Sequence, residues 1–406
     1  MTSPFITLAR PAIQSMQAYQ VGKPIEEARR ELGIAHFIKL ASNENPRGPS
    51  PAVLAALATA SQEINRYPDG NGFYLKQILA ERHGVDASAI TLGAGSNDIL
   101  ELIASAYLDG DTSAIYSQYG FLVYALATAR SGAESIVVDA CNFGHDLSAM
   151  AGAVKNNTRV IYIANPNNPT GTYTHHNDLV ALLDAVPASV LVVLDEAYCE
   201  YINKADYPDG IALQKRYANL IITRTFSKAY GLAALRLGYA VSQPDIADLM
   251  NRIRQPFNVN QVALAAAMIA LDDQDYVERS VQLNRSGMAQ MIAMTSELGL
   301  PVIPSVGNFI CVDFGQEAGP IYEGLLRQGV IVRPVGLYEL PSFLRVTIGT
   351  EDENQHFFDA TLGLTYLRLH NIEKNNDKVV KSFGLTYQHP MQIPSIFYYE
   401  DFLLSL

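Results

Sequence analysis

The sequence predicts an α/β protein: a large domain with a mostly parallel sheet covered by helices, followed by a smaller α/β domain. Three observations carry that reading. From about Ala89 to Ser242, short β-branched runs alternate with helical patterns, the signature of strands buried on both faces and joined by helical crossovers. Unusual polar residues sit at the ends of several of these runs, where an open α/β sheet gathers its loops and helix N-termini. Beyond residue 245, helical patterns lead into three further strand-like runs, enough for a second layer.

The bulk properties narrow the function. The chain has 406 residues and a formal net charge of −12, which allows more than one domain and argues against a nucleic-acid partner. Its hydrophobic content of 49% is ordinary for a water-facing protein, and no uninterrupted apolar run approaches the length of a membrane span. The opening "MTSPFITLARPAIQSM" has no basic segment ahead of a long apolar one, so a secretory signal is not expected and the predicted location is the cytoplasm. Cys141, Cys199 and Cys311 are scattered and odd in number, which predicts reduced thiols and neither a disulfide framework nor a metal site.

In chain order, "PIEEARRELG" reads as a helix within an N-terminal arm, residues 1–45, that packs on the body. Over 46–245 the runs "AITL", "SAIYS", "ESIVVD", "RVIYIA", "VLVVLD", "LIITRT" and "LGYAV" read as buried strands of the large domain. Over 246–366, "PDIADLMNRIRQ", "NQVALAAAMIALDD" and "AGPIYEGLLRQ" read as helices, and "NFICVDF", "GVIVRPV" and "FLRVTIG" as strands. The segment 367–406 is rich in Asn, Lys, Tyr and Phe without a helical or strand period, and is expected to be an appendage, either poorly ordered or loosely docked.

The strand ends carry the chemistry. "AITL" runs into "GAGSNDILELIASAY", a glycine-flanked turn with Ser96 and Asn97 at the start of a helix; free amides there suit a phosphate, and a simple N-cap is the plain alternative. Tyr119 follows "SAIYS", where its ring serves either packing or a planar ligand. Asn168 lies in the turn "NPNNPTG", where it is either loop punctuation or placed to aim an amide into the same crevice. Asp195 directly follows five apolar residues, a costly place for a carboxylate unless a partner such as a protonated pyridine nitrogen pairs with it. Lys228, in "TRTFSKAYGLAALRLGY", has apolar neighbours and no local acid. A lysine so placed is either a solvated surface residue or, held in apolar surroundings, shifts toward the neutral amine, which condenses with aldehydes. An amine, an acid for a ring nitrogen, a ring face and a phosphate cradle together match the parts that pyridoxal 5'-phosphate requires.

The motifs "LASNENPRGPS", "RYPDG", "GAGSND", "NPNNPTG", "DEAY", "FSKAYGLAALRLGY" and "FLRVTIGT" occur in that order across roughly residues 5–366. With them the chain resembles the fold type I PLP-dependent transferases, and within them the histidinol-phosphate aminotransferase family. Asn97 stands where that family commonly has an acidic residue, and Ala234 where a glycine is usual.

The resemblance implies a catalytic set of Lys228, Asp195 and Tyr198. Lys228 would take the cofactor aldehyde and move the proton of the 1,3-shift. Asp195 would face the pyridinium nitrogen, Asn168 and Tyr198 the ring hydroxyl, and Tyr119 the ring. Ser96, Asn97, Ser227 and Arg236 would hold the phosphate, with Tyr67 reaching across from a second subunit. For the substrate, the resemblance implies Arg345 on the carboxylate, Arg333 with Tyr19 facing a far phosphate, and Asn45 beside them.

The expected activity is interconversion of histidinol phosphate plus 2-oxoglutarate with imidazole-acetol phosphate plus glutamate, in histidine biosynthesis, by a cytoplasmic homodimer. An aromatic amino-acid aminotransferase is the second reading and a phospho-amino-acid decarboxylase the third. A ligand-sensing regulator on the same scaffold is the remote one, disfavoured by the acidic charge and by motif sequence that begins almost at once.

Overall fold

A computed structural model of the chain describes residues 4–14, 16 and 22–369. Tyr19 and almost all of the 367–406 appendage lie outside the described residues. After β1 (Ile38–Lys39) come β2 (Ile90–Gly93), β3 (Ser113–Ser117), β4 (Glu134–Val138), β5 (Thr158–Ala164), β6 (Leu191–Asp195), β7 (Leu220–Thr225) and β8 (Gly238–Val241). These last seven form one sheet in the order β2-β8-β7-β6-β5-β3-β4. Its pairings are parallel except that β8 runs antiparallel to both β2 and β7.

Side-chain alternation along these strands builds two cores. Ile115, Ile161, Ile163, Val192 and Leu194 enter one cluster with the helices Phe73–His83 and His176–Ala185. Ala114, Tyr116, Val160, Tyr162 and Val193 enter the other with the helices Ser96–Tyr107 and Leu122–Ser131. Burial on both faces explains the near-continuous apolar runs of the inner strands, each fully buried aliphatic side chain contributing about 1.5–3 kcal/mol; β4, expected to be buried, lies at the sheet edge and is mostly exposed, with Val138 alone buried.

A second sheet contains β9 (Val302–Ile303), β10 (Phe309–Asp313), β12 (Arg333–Pro334) and β13 (Phe343–Thr347), all antiparallel in the order β12-β13-β10-β9. The run "GVIVRPV", expected as one strand, is divided: β11 (Val330–Ile331) pairs in parallel with β1, and β12 joins β13 at a sheet edge. Pro334, which has no N–H, is accommodated at that edge. The β1–β11 pair ties the N-terminal segment to the body, and Leu40 continues the connection by donating to Ile331 O at 2.8 Å and accepting from Thr347 N at 2.8 Å.

Helices Pro51–Ala60, Phe73–His83 and Gln274–Glu297 were not foreseen. The last is 24 residues long, and its buried face includes Ser280, Asn284, Gly287 and Thr295, so small and polar residues mask the apolar period. At Gly287 the helix approaches Ile348 so closely that a Cβ would collide with it.

Candidate active site

The anion-facing end of the site starts where β2 stops. Gly95, at φ +89°, turns the chain into the helix Ser96–Tyr107, whose N-terminus has no side-chain cap. Its leading amides and dipole therefore remain directed toward an anion. Gly238 lies against this turn, and a Cβ there would strike Ser96 N. Arg236, itself left-handed at φ +54°, packs its guanidinium over Gly95. Its Nη1 donates to Ser227 Oγ at 3.2 Å and to Ala233 O at 3.0 Å. Ser96, Asn97, Ser227 and Arg236 all line one cavity of about 270 Å³.

Asp195 ends β6 and lines the same cavity. It is buried, with Thr223 Oγ1 donating to Oδ1 at 2.9 Å and Tyr124 Oη donating to Oδ2 at 3.0 Å. Burial raises its pKa to about 6, the two hydroxyl donors pull it down, and the neighbouring Glu196 charge adds to the rise. Tyr124 is fully buried and stacks on Tyr162 with ring centroids 4.8 Å apart. Sequence reasoning missed Tyr124 and Thr223. Thr223 was detectable as the cross-strand partner of Asp195 in the β6–β7 register, but Tyr124 comes from a helix and carries no local signal.

Lys228 projects into the cavity after β7. Its Nζ donates to Ser42 O at 2.9 Å and lies 5.6 Å from the Tyr198 ring centroid. Burial above all, then the Arg345 charge, lowers its pKa to about 7, against the opposing pull of Glu44. Tyr198 also lines the cavity, and its Oη accepts from Asn43 Nδ2 at 2.9 Å. Burial pushes the phenol up to about 12, with Arg345 and the Asn43 hydrogen bond acting the other way.

Arg345 and Arg333 approach from the small sheet, where they are direct cross-strand partners. Both line the cavity. Arg345 is buried; its Nη1 donates to Asn168 Oδ1 at 2.5 Å and its Nη2 to Ala41 O at 2.7 Å, while Nε has no protein partner. Asn168 is thereby fixed at the cavity wall.

Two expected positions fall elsewhere, Tyr119 and Asn45. Tyr119 is not at the cavity wall: its ring packs on Phe143 at 5.9 Å and its carbonyl accepts from Asn167 Nδ2. The tight turn closed by Gly120 N and Ser117 O separates it from Phe121, and Phe121 lines the cavity instead. Asn45 is also displaced. Its Nδ2 donates to Ala229 O and Ser280 Oγ and its Oδ1 accepts from Arg47 N, so it is a structural tie, while Asn43 and Glu44 reach the cavity. Tyr67 is 82% exposed and stacks on Phe257 at 4.6 Å, away from the cavity of its own chain. Tyr19 belongs to the undescribed residues.

With this geometry, the fold and site define a member of a known class: residues 35–360 match the aminotransferase class I and II family, and the chain belongs to it. Among particular relatives, it is 56% identical over 362 residues to histidinol-phosphate aminotransferase 2 of Pseudomonas fluorescens (strain Pf0-1), covering 89% of this chain and 98% of that one. It is 55% identical over 360 residues to histidinol-phosphate aminotransferase 2 of Pseudomonas aeruginosa, covering 88% and 98%. The crystal structure of histidinol-phosphate aminotransferase from Sinorhizobium meliloti in complex with pyridoxal-5'-phosphate is similar at a TM-score of 0.83 and 30% identity, covering 90% of this chain and 98% of that one.

Proposed function

We propose that this protein is a pyridoxal-phosphate-dependent histidinol-phosphate aminotransferase of histidine biosynthesis, using glutamate and 2-oxoglutarate as the second amino donor and acceptor pair. The observation that carries the substrate reading is the pairing of Arg333 with Arg345. The two are direct cross-strand neighbours, and both line the cavity that Lys228 enters. A ligand with two anionic groups would engage both guanidiniums, as a phosphate-bearing amine and a dicarboxylic amino acid in turn can.

The residues present fit the cofactor. A Cβ at Gly95 would fill the space under the Arg236 guanidinium, and the uncapped helix start supplies N–H donors to a phosphate. Bound pyridoxal phosphate supplies an electron-withdrawing ring that stabilises negative charge developing at the substrate α-carbon. Asp195, held by Tyr124 and Thr223, would keep the ring nitrogen protonated. Phe121 would present its ring face and Asn168 and Tyr198 would hold the ring hydroxyl. Lys228, with its pKa lowered to about 7, is largely neutral at mildly alkaline pH, as a nucleophile and proton carrier must be. Arg345, with Nε unpartnered, would take a carboxylate, and Arg333 the distal phosphate.

We further propose a large cofactor-binding domain over 46–245, a smaller domain over 246–366, and a cytoplasmic homodimer. Among the described residues no helix is long and apolar enough to cross a membrane.

The test is the amino-donor half-reaction of the purified protein with histidinol phosphate, phenylalanine and tyrosine, followed by cofactor absorbance. Arg333→Ala should lower kcat/KM for histidinol phosphate by roughly thirtyfold to several hundredfold and spare phenylalanine, as loss of a charge-assisted contact of about 2–4 kcal/mol requires. Arg345→Ala should weaken every amino acid. Equal losses for both substrates in Arg333→Ala would put the aromatic aminotransferase reading first.

A further inference from the structure

Asn43 occupies a position that its backbone alone would not choose. It is buried and left-handed at φ +55°, a region that non-glycine residues enter uncommonly, although Asn is among the more tolerant. Interlocked hydrogen bonds hold it there. Its N–H donates to Thr347 Oγ1 at 2.9 Å, its carbonyl accepts from Asn308 Nδ2 at 3.0 Å, and its side-chain Oδ1 accepts from Thr347 Oγ1 at 3.2 Å. The remaining group, Nδ2, donates to Tyr198 Oη at 2.9 Å.

The bonds run in one direction, from Thr347 through Asn43 to Tyr198. A backbone N–H can donate but not accept, so Thr347 Oγ1 receives from Asn43 N and has its own hydrogen to give to Asn43 Oδ1. The amide is thereby oriented with its NH₂ toward Tyr198. The phenol oxygen is occupied as an acceptor, and its hydrogen is left to point elsewhere, with the cavity wall formed by Tyr198 as the open direction.

We propose that Asn43 is a positioning residue that sets the polarity of the Tyr198 hydroxyl, so that Tyr198 enters the cavity as a hydrogen-bond donor to an anionic oxygen on a bound planar ligand. The role rests on the functional reading above, in which that oxygen is the ring hydroxyl of pyridoxal phosphate. Through Thr347, two residues after Arg345 on β13, the same relay links the substrate-facing strand to the phenol.

The discriminating variant is Asn43→Asp. It keeps the size of the side chain and a tolerance for the left-handed backbone, but a carboxylate accepts where the amide donated. The Tyr198 hydrogen would then turn toward residue 43 and away from the cavity. Apoprotein of the full chain is titrated with pyridoxal phosphate, reading the dissociation constant from absorbance and the pH dependence of the bound spectrum. Asn43→Asp should weaken binding by about as much as Tyr198→Phe, on the order of tenfold for one lost hydrogen bond, and should add little to Tyr198→Phe in the double variant.

Thr347→Val supplies a second arm should Asn43→Asp fail to fold. It frees the amide to reverse, weakens cofactor binding in the wild-type background, and should have no comparable effect in the Tyr198→Phe background. Wild-type affinity in Asn43→Asp beside weakened binding in Tyr198→Phe overturns the proposal, as does a penalty from either variant that persists unchanged without the Tyr198 hydroxyl. Failure of the wild-type protein to bind pyridoxal phosphate would instead overturn the functional reading beneath it.

Discussion

Asp195 and Lys228 are tuned in opposite directions by one physical cause, removal from water. Asp195 has a folded pKa of about 6, above the usual 3.8. A carboxyl raised on folding favours the fold when protonated, so its contribution is fully present below about pH 4 and lost as pH rises through about 6. Ionised at neutral pH in the cofactor-free protein, it costs on the order of 2–3 kcal/mol. Urea unfolding of the apoprotein should therefore find Asp195→Asn more stable than wild type at pH 8 and equal to it near pH 4, although its transamination falls severely. A less stable variant at pH 8 would contradict the assignment. Lys228 has its folded pKa lowered from 10.5 to about 7, so the fold penalises its ammonium form, and stability present above the unfolded pKa is lost as pH falls through about 7. Site-resolved labelling of the apoprotein with trinitrobenzenesulfonate should show Lys228 reacting with a midpoint near pH 7, while exposed lysines follow near pH 10. A midpoint shared with the exposed lysines would remove burial as its activator.

The strand-to-helix turn at Gly95 joins sequence to function at the scale of the element. Its φ of +89° admits glycine readily and other residues only under strain, and a Cβ would meet the Arg236 guanidinium. Gly95→Ala should cost about 1–3 kcal/mol of backbone strain and displace Arg236 from the anion cradle. Pyridoxal phosphate affinity should fall by roughly tenfold or more on loss of one charge-assisted contact, measured by equilibrium titration alongside apoprotein melting. Unchanged affinity would place the phosphate elsewhere. Element boundaries were legible where burial on both faces wrote continuous apolar runs: "LIITRT" is β7 residue for residue, and "SAIYS" is β3. They were illegible where Ser280, Asn284 and Gly287 face inward on a long helix, because close helix packing there selects small side chains over apolar ones.

At the scale of the whole molecule, a chain of net charge −12 gathers Lys228, Arg236, Arg333 and Arg345 around one cavity. A basic cleft in an acidic protein focuses its field on small anions. The exposed ring of Tyr67 bears on assembly. If it completes the cavity of a second subunit, mixing Lys228→Ala with Tyr67→Phe should form hybrid dimers with one fully intact site each. Activity should rise well above the sum of the two parents after dissociation and reassociation. No gain over that sum, with hybrid formation verified by differential tagging, would assign Tyr67 to its own chain.

The sequence by itself determined the sheet that carries the site and most of what lines it. Strand exits are local features, and a costly polar residue at the end of an apolar run is visible without coordinates, as at Asp195. Tertiary structure decided the choices between near neighbours: Phe121 over Tyr119, and Asn43 over Asn45. One turn or one left-handed residue exchanges which side chain faces inward, and composition is the same either way. It also decided the partners drawn from remote segments, Tyr124 on Asp195, Asn43 on Tyr198 and Arg345 on Asn168. Those contacts bridge 71, 155 and 177 residues of chain, distances over which no periodicity or local motif carries information and only the packed fold brings the atoms together.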